Sequence, residues 1–117
     1  MSKQPKFSII TITYNAASVI EPTLQSVLSQ TYTNYEYMLI DGGSKDDTVA
    51  KAKASGINFA QIVSEPDDGL YDAMNKGIAL ATGDYLCFLN AGDAFYAPNT
   101  LHTIANAAAA EEELPDV

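Results

Sequence analysis

Four short apolar runs alternate with four stretches of helical periodicity, and that alternation restricts the chain to an α/β fold, a parallel sheet flanked by helices. Phe7-Ser8-Ile9-Ile10-Thr11-Ile12-Thr13 is β-branched and mostly apolar, as suits a strand covered on both faces. Ser18 and Glu21 have capping-box spacing and predict a helix with Ile20, Leu24, Val27 and Leu28 on one face, ending near Gln30-Thr31. Tyr35 to Ile40 reads as the second strand. Ser44 and Asp47 repeat the capping spacing before a short helix that turns Val49 and Ala52 inward and stops at Gly56. Ile57 to Ser64 reads as the third strand. Leu70 to Ala81 is the third helix, with Met74, Ile78 and Ala81 on a common face and Gly83 as its stop. Tyr85 to Leu89 is the fourth strand, and Pro98 opens a last helix running to Glu113. No repeat or linker interrupts the series, so residues 1–117 read as a single domain.

Charge narrows the partners. The formal net charge is −9, and all six cationic side chains are lysines. Nucleic-acid binding needs basic patches that displace counterions, so it is disfavoured. A phosphorylated small ligand would instead depend on helix N-termini, backbone amides or a bound cation. No apolar stretch reaches the roughly 20 residues of a transmembrane helix. The N-terminus runs straight into a strand with no secretory signal, and Cys87 is the single cysteine, so a cytoplasmic location is expected. His102 sits on an alanine-rich helix without a second metal ligand nearby and reads as a surface residue.

Two acids mark the candidate site. Asp41 follows the strand-like run Tyr37-Met38-Leu39-Ile40, and Asp93 follows Tyr85 to Leu89 through Asn90-Ala91-Gly92. In a parallel sheet both lie on the carboxyl edge, where open α/β sheets bind ligands. Neither G-x-G-x-x-G nor G-x-x-x-x-G-K-[ST] follows the first strand. That position carries Thr13-Tyr14-Asn15, a hydroxyl, an aromatic face and an amide suited to stacking on a base and bonding its edge.

These residues carry a resemblance. Ser8 to Asn15, Asp41-Gly42-Gly43-Ser44-Lys45-Asp46-Asp47-Thr48, Asn75-Lys76-Gly77-Ile78 and Ala81-Thr82-Gly83-Asp84-Tyr85 resemble the opening of inverting family 2 glycosyltransferases with the GT-A fold. The string Asp68 to Gly77 is similar to a bacterial branch that builds capsule, exopolysaccharide and O-antigen chains. The resemblance covers about Phe7 to Thr103 and implies a Rossmann-like nucleotide-sugar-binding half with strand order 3-2-1-4. It implies that Tyr14 lies against the nucleobase between Thr13 and Asn15, and that Asp41 accepts a hydrogen bond from the base, usually uracil. Asn75 and Lys76 would lie near the donor. Asn90 to Asp93 would occupy the metal motif, with Asp93 holding Mg²⁺ or Mn²⁺. Gly92 and Met74 depart from the family pattern, which often has a second acid and an arginine there.

The implied activity is transfer of a sugar from a UDP-sugar or related nucleotide-sugar to a saccharide or lipid-linked acceptor, with inversion, in cell-surface polysaccharide synthesis. In a full-length protein the location would be the inner membrane face. The acceptor half is expected to be absent, with the catalytic base placed beyond Val117, so residues 1–117 should bind donor and metal without transferring sugar. An exposed fourth strand should favour self-association. The alternatives are a non-catalytic nucleotide-binding module and a nucleotidyltransferase.

Overall fold

The computed structural model describes residues 4–113, with side chains through Ala107. Asp116 and Val117, and with them the expected position of the base, lie outside the described residues. The elements follow the expected order: β1 (Phe7–Thr13), α1 (Ile20–Leu28), β2 (Tyr35–Asp41), α2 (Thr48–Ala54), β3 (Gln61–Ser64), α3 (Leu70–Leu80), β4 (Tyr85–Phe88) and α4 (Thr100–Glu113). The four strands form one sheet in the order β3-β2-β1-β4. Every pairing is parallel, with Thr13 opposite Asp41 and Asp41 opposite Ser64. All strands therefore end on one edge.

Strand alternation divides the core. Phe7, Ile9, Tyr37 and Leu39 pack with α1, α2 and α4 through Leu24, Ala52 and Leu101. On the other face, Ile10, Met38 and Ile40 meet Ala73 of α3. The inward residues of α3 are Ala73 and Gly77, whereas Met74 is half-buried and Ile78 is exposed. The reason is close approach. A Cβ on Gly77 would lie 2.8 Å from Ile10 Cγ2, so this helix can seat only small residues against the sheet.

Local signals differed from expectation at three further places. Ser18 does not cap α1; the N–H groups of Val19 and Ile20 both donate to the Ala16 carbonyl, at 3.0 and 2.9 Å. Ser44 does not cap α2, because its hydroxyl donates to Asp41, and Asp46 Oδ1 accepts from the Thr48 N–H at 3.0 Å. The third strand is shorter than its apolar pattern suggested. Phe59 leaves the sheet line to lie 4.9 Å from the ring of Tyr37, and Ala60 donates to the Tyr37 carbonyl before pairing begins at Gln61.

At the opposite edge of the sheet, Glu36 clamps the turn before β4. Its carboxylate accepts from Ser8 Oγ at 2.6 Å and from the Thr82 N–H at 2.6 Å. Burial pushes the Glu36 carboxyl up, but hydrogen bonds from Ser8 and Thr82 and the Lys6 charge outweigh it and hold the group below the usual range. His102 is exposed and sets its ring edge-on to Tyr32 at 5.1 Å. No helix among the described residues is long and apolar enough to cross a membrane.

Candidate nucleotide site

The strand register places Asp41 between two hydroxyl-bearing strand ends. Thr13 Oγ1 donates to its Oδ1 at 2.7 Å, and Ser64 Oγ donates to its Oδ2 at 2.8 Å. The loop that follows closes over the same carboxylate. Ser44 Oγ donates to Oδ1 at 2.5 Å, while the N–H groups of Gly43 and Ser44 donate to Oδ2 at 3.1 and 2.7 Å. Asp41 is 1% exposed. Burial pushes its carboxyl up, but the bonds from Ser44, Thr13 and Ser64 outweigh that and hold it below the usual carboxylate range. A carboxylate has about four lone-pair sites, so the acceptor capacity expected for a base is already taken internally. Asp41 ties three strand ends and a loop together.

Asn15 serves the same loop. It has a left-handed backbone (φ 49°), accessible to asparagine at modest cost. Its side-chain oxygen accepts from the Lys45 N–H at 2.8 Å, and its own N–H donates to Ser44 Oγ at 2.7 Å. The β1–α1 and β2–α2 loops are thereby one bonded unit.

Above this unit lies a cleft of about 330 Å³. Thr13, Tyr14 and Asn90 line it, together with Ile12, Leu70 and Asp67. Tyr14 is 60% exposed, so it is a surface aromatic at the cleft and not a core residue. Asn75, Lys76, Asn15 and Asp41 are not among its lining residues. Asn75 is exposed on α3. The Lys76 ammonium pairs with Glu65 at 3.2 Å and Asp72 at 3.6 Å and donates to the Pro66 carbonyl at 3.3 Å. Burial pushes Lys76 down, but Glu65, Asp72 and Asp67 outweigh this and raise it above its ordinary value.

The last site residue is anchored through its backbone. The Asp93 N–H donates to the Asn90 carbonyl at 2.9 Å, and Thr23 Oγ1 on α1 donates to the Asp93 carbonyl at 2.5 Å. Its carboxylate is left exposed and, among the described residues, takes part in no hydrogen bond or ion pair. No group of three or more His, Cys, Asp or Glu side chains among the described residues could hold a metal by itself. A lone hard oxygen ligand fits a Mg²⁺ or Mn²⁺ whose other ligands come from phosphates and water. The sequence signal had missed Thr23, whose hydroxyl is hidden in a helical pattern, and Asp67, which reads as part of an acidic turn.

The loop-lined cleft lies at the carboxyl edge of an open parallel α/β sheet, where sheets of this class bind ligands. The profile of Glycosyl transferase family 2 matches residues 8–114, and the chain belongs to that family. An uncharacterized glycosyltransferase of Mycobacterium tuberculosis is 45% identical over 102 residues, which are 86% of this chain and 39% of that protein. The chain thus spans well under half of that relative's length. Among solved structures, the mannosyltransferase PcManGT from Pyrobaculum calidifontis, in complex with GDP-Man and Mn²⁺, superposes with a TM-score of 0.78 at 27% identity. It covers 92% of this chain and 32% of its own. TarS from S. aureus, in complex with UDP-GlcNAc, gives 0.75 at 26% identity, over 92% of this chain and 31% of its own. The sheet is that of GT-A glycosyltransferases, in the expected strand order. The mycobacterial relative is named a glycosyltransferase and PcManGT a mannosyltransferase, and neither supports the nucleotidyltransferase alternative.

Proposed function

We propose that this chain is the donor-binding part of a glycosyltransferase that transfers a sugar from a nucleotide-diphospho-sugar, with a UDP-sugar as the favoured donor. One observation carries the reading: the cleft at the ends of β1 and β4 joins an exposed Tyr14 to Asn90 on the loop that bears Asp93. An aromatic face takes a base, and the Asp93 carboxylate faces the chemistry of a diphosphate only through a cation. Support comes from the family and from two similar structures, one holding GDP-Man with Mn²⁺ and the other UDP-GlcNAc.

In this reading Tyr14 and Thr13 hold the nucleoside, and Asp41 with Asn15 keeps their loop in place. Asp93 would hold Mg²⁺ or Mn²⁺, which when bound offsets the charge that develops on the departing diphosphate. Inverting transfer also needs a base to take the proton of the attacking acceptor hydroxyl. No residue of the cleft is assigned that role; it belongs to chain beyond Val117, with a saccharide or lipid-linked acceptor and cell-surface polysaccharide as product. The full-length protein would work on the cytoplasmic side of the membrane.

Calorimetry with UDP, GDP, dTDP and ADP in the presence of Mn²⁺ tests this. UDP should bind at least tenfold more tightly than ADP, and Tyr14→Ala should weaken it. Equal affinity for all four, or none for any, overturns the reading.

A further inference from the structure

Residues 92–101, which carry Asp93, take their shape from α1. Strand pairing of β4 ends at Phe88. From Gly92 to Leu101, every long-range hydrogen bond among the described residues runs to residues 23–31. Thr23 and Ser26 on α1, with Gln30 just past its end, follow the three- and four-residue spacing of one helical face. Thr23 holds Gly92 and Asp93. Ser26 Oγ accepts from the Phe95 N–H at 3.1 Å and donates to the Thr23 carbonyl at 2.8 Å. The Thr31 N–H donates to the Pro98 carbonyl at 2.9 Å.

Gln30 closes this set. It is 6% exposed, and both polar atoms of its side chain are engaged. Nε2 donates to the Ala97 carbonyl at 2.7 Å and to the Ser26 carbonyl at 3.2 Å, and Oε1 accepts from the Leu101 N–H at 3.0 Å. Leu101 lies in the first turn of α4, where a helix has no internal partner for its N–H groups. One buried amide therefore joins the end of the loop to the start of α4. Phe95 packs against the core and fixes the middle. The loop is held at both ends and at its centre by side chains of a single face.

Resting on the metal-holding role proposed for Asp93 above, we infer that Gln30 is a positioning residue for the cation. With Ser26 it sets the Asp93 turn before the metal binds. A site with one protein carboxylate gains little from each contact, so ordering the loop at the moment of binding would consume much of that gain. Anchoring to α1 removes this cost in advance. Gln30 touches neither cation nor nucleotide; it acts through the backbone at Ala97 and Leu101.

The test titrates Mn²⁺ at fixed UDP by calorimetry and, in parallel, measures binding of uridine, which has no phosphate, by ligand-observed NMR. Gln30→Met keeps the length of the side chain and removes its three hydrogen bonds. It should raise the Mn²⁺ concentration for half-maximal UDP binding by about threefold to tenfold, with uridine affinity unchanged within about twofold. Ser26→Ala removes the Phe95 acceptor and should raise that concentration by about twofold to threefold. It decides the matter if Gln30→Met does not fold. A parallel loss of uridine and of metal-dependent UDP binding means that these residues serve only the fold, and overturns the inference. An unchanged Mn²⁺ requirement in the folded variants overturns it as well, and in both cases the donor-binding reading stands. If UDP binding by the unaltered protein ignores Mn²⁺, the metal role of Asp93 falls and this inference with it.

Discussion

The Thr23 hydroxyl, buried on α1, holds the turn that presents Asp93: it accepts from the Gly92 N–H at 2.9 Å and donates to the Asp93 carbonyl at 2.5 Å. Gly92 adopts φ +96°, so the turn is specified by backbone geometry as well as by this hydroxyl. Thr23→Val keeps the shape and removes both bonds. It should destabilise the protein by about 1–3 kcal/mol through the stranded Gly92 donor. Mn²⁺-dependent UDP affinity should fall several-fold as Asp93 loosens. Urea unfolding and calorimetry read the two effects separately. Unchanged affinity in a destabilised variant would show that the turn keeps its form without Thr23.

Asp41 and Glu36 predict acid sensitivity with a definite sign. Both carboxyls are held below their ordinary values by hydrogen bonds that outweigh burial. Their stabilisation is therefore complete above the unfolded values of about 3.9 and 4.3 and is lost as pH falls through the lower folded values. Stability should be flat from neutral pH to about pH 5 and drop below about pH 4. Asp41→Asn and Glu36→Gln should each lower stability at pH 7 and make the acid limb shallower, as followed by thermal melts across pH. A steeper acid limb in either variant would contradict this assignment.

Gly77 separates helix propensity from packing. On an exposed helix, Gly→Ala would gain about 1 kcal/mol. Here the added methyl would stand 2.8 Å from Ile10 Cγ2 and 3.0 Å from its Cδ1, on a fully buried, β-branched side chain. Overpacking typically costs about 1–3 kcal/mol, so Gly77→Ala should be destabilising overall. A stabilised variant in urea unfolding would mean that α3 can lift from the sheet without loss.

The fold was legible because its signals are periodic and redundant. Phe7 and Ile9 against Ile10, and Leu24 and Val27 along α1, announce which faces are covered. The capping signal at Ser44 misled because the buried Asp41 carboxylate takes its hydroxyl, and the helix opens only at Thr48. The site was legible in position and less so in role. Thr13, Tyr14 and Asn90 reach the cleft because they continue strands, whose ends the apolar pattern locates. Lys76 and Asp67 depend on how the loop 65–69 folds against α3, and that loop carries no periodicity.

The metal-holding role proposed for Asp93 rests on a balance of charge. A nucleoside diphosphate brings anionic oxygens to a chain of net charge −9 that has no arginine. Of the lysines near the site, Lys76 is already engaged with two carboxylates. Direct approach of the diphosphate to Asp93 would set like charges together, and a divalent cation converts that repulsion into shared ligation. Chelation with EDTA should therefore weaken UDP binding by at least tenfold, whereas uridine, which has no phosphate, should bind about equally with and without metal. Asp93→Asn keeps an oxygen but loses the charge, so it should shift the Mn²⁺ concentration needed for half-maximal UDP binding upward. Titrating Mn²⁺ at fixed UDP in both proteins measures that shift. UDP binding that is indifferent to EDTA and to Asp93→Asn would leave Asp93 as a residue of the turn that Thr23 holds and assign the diphosphate to backbone amides instead.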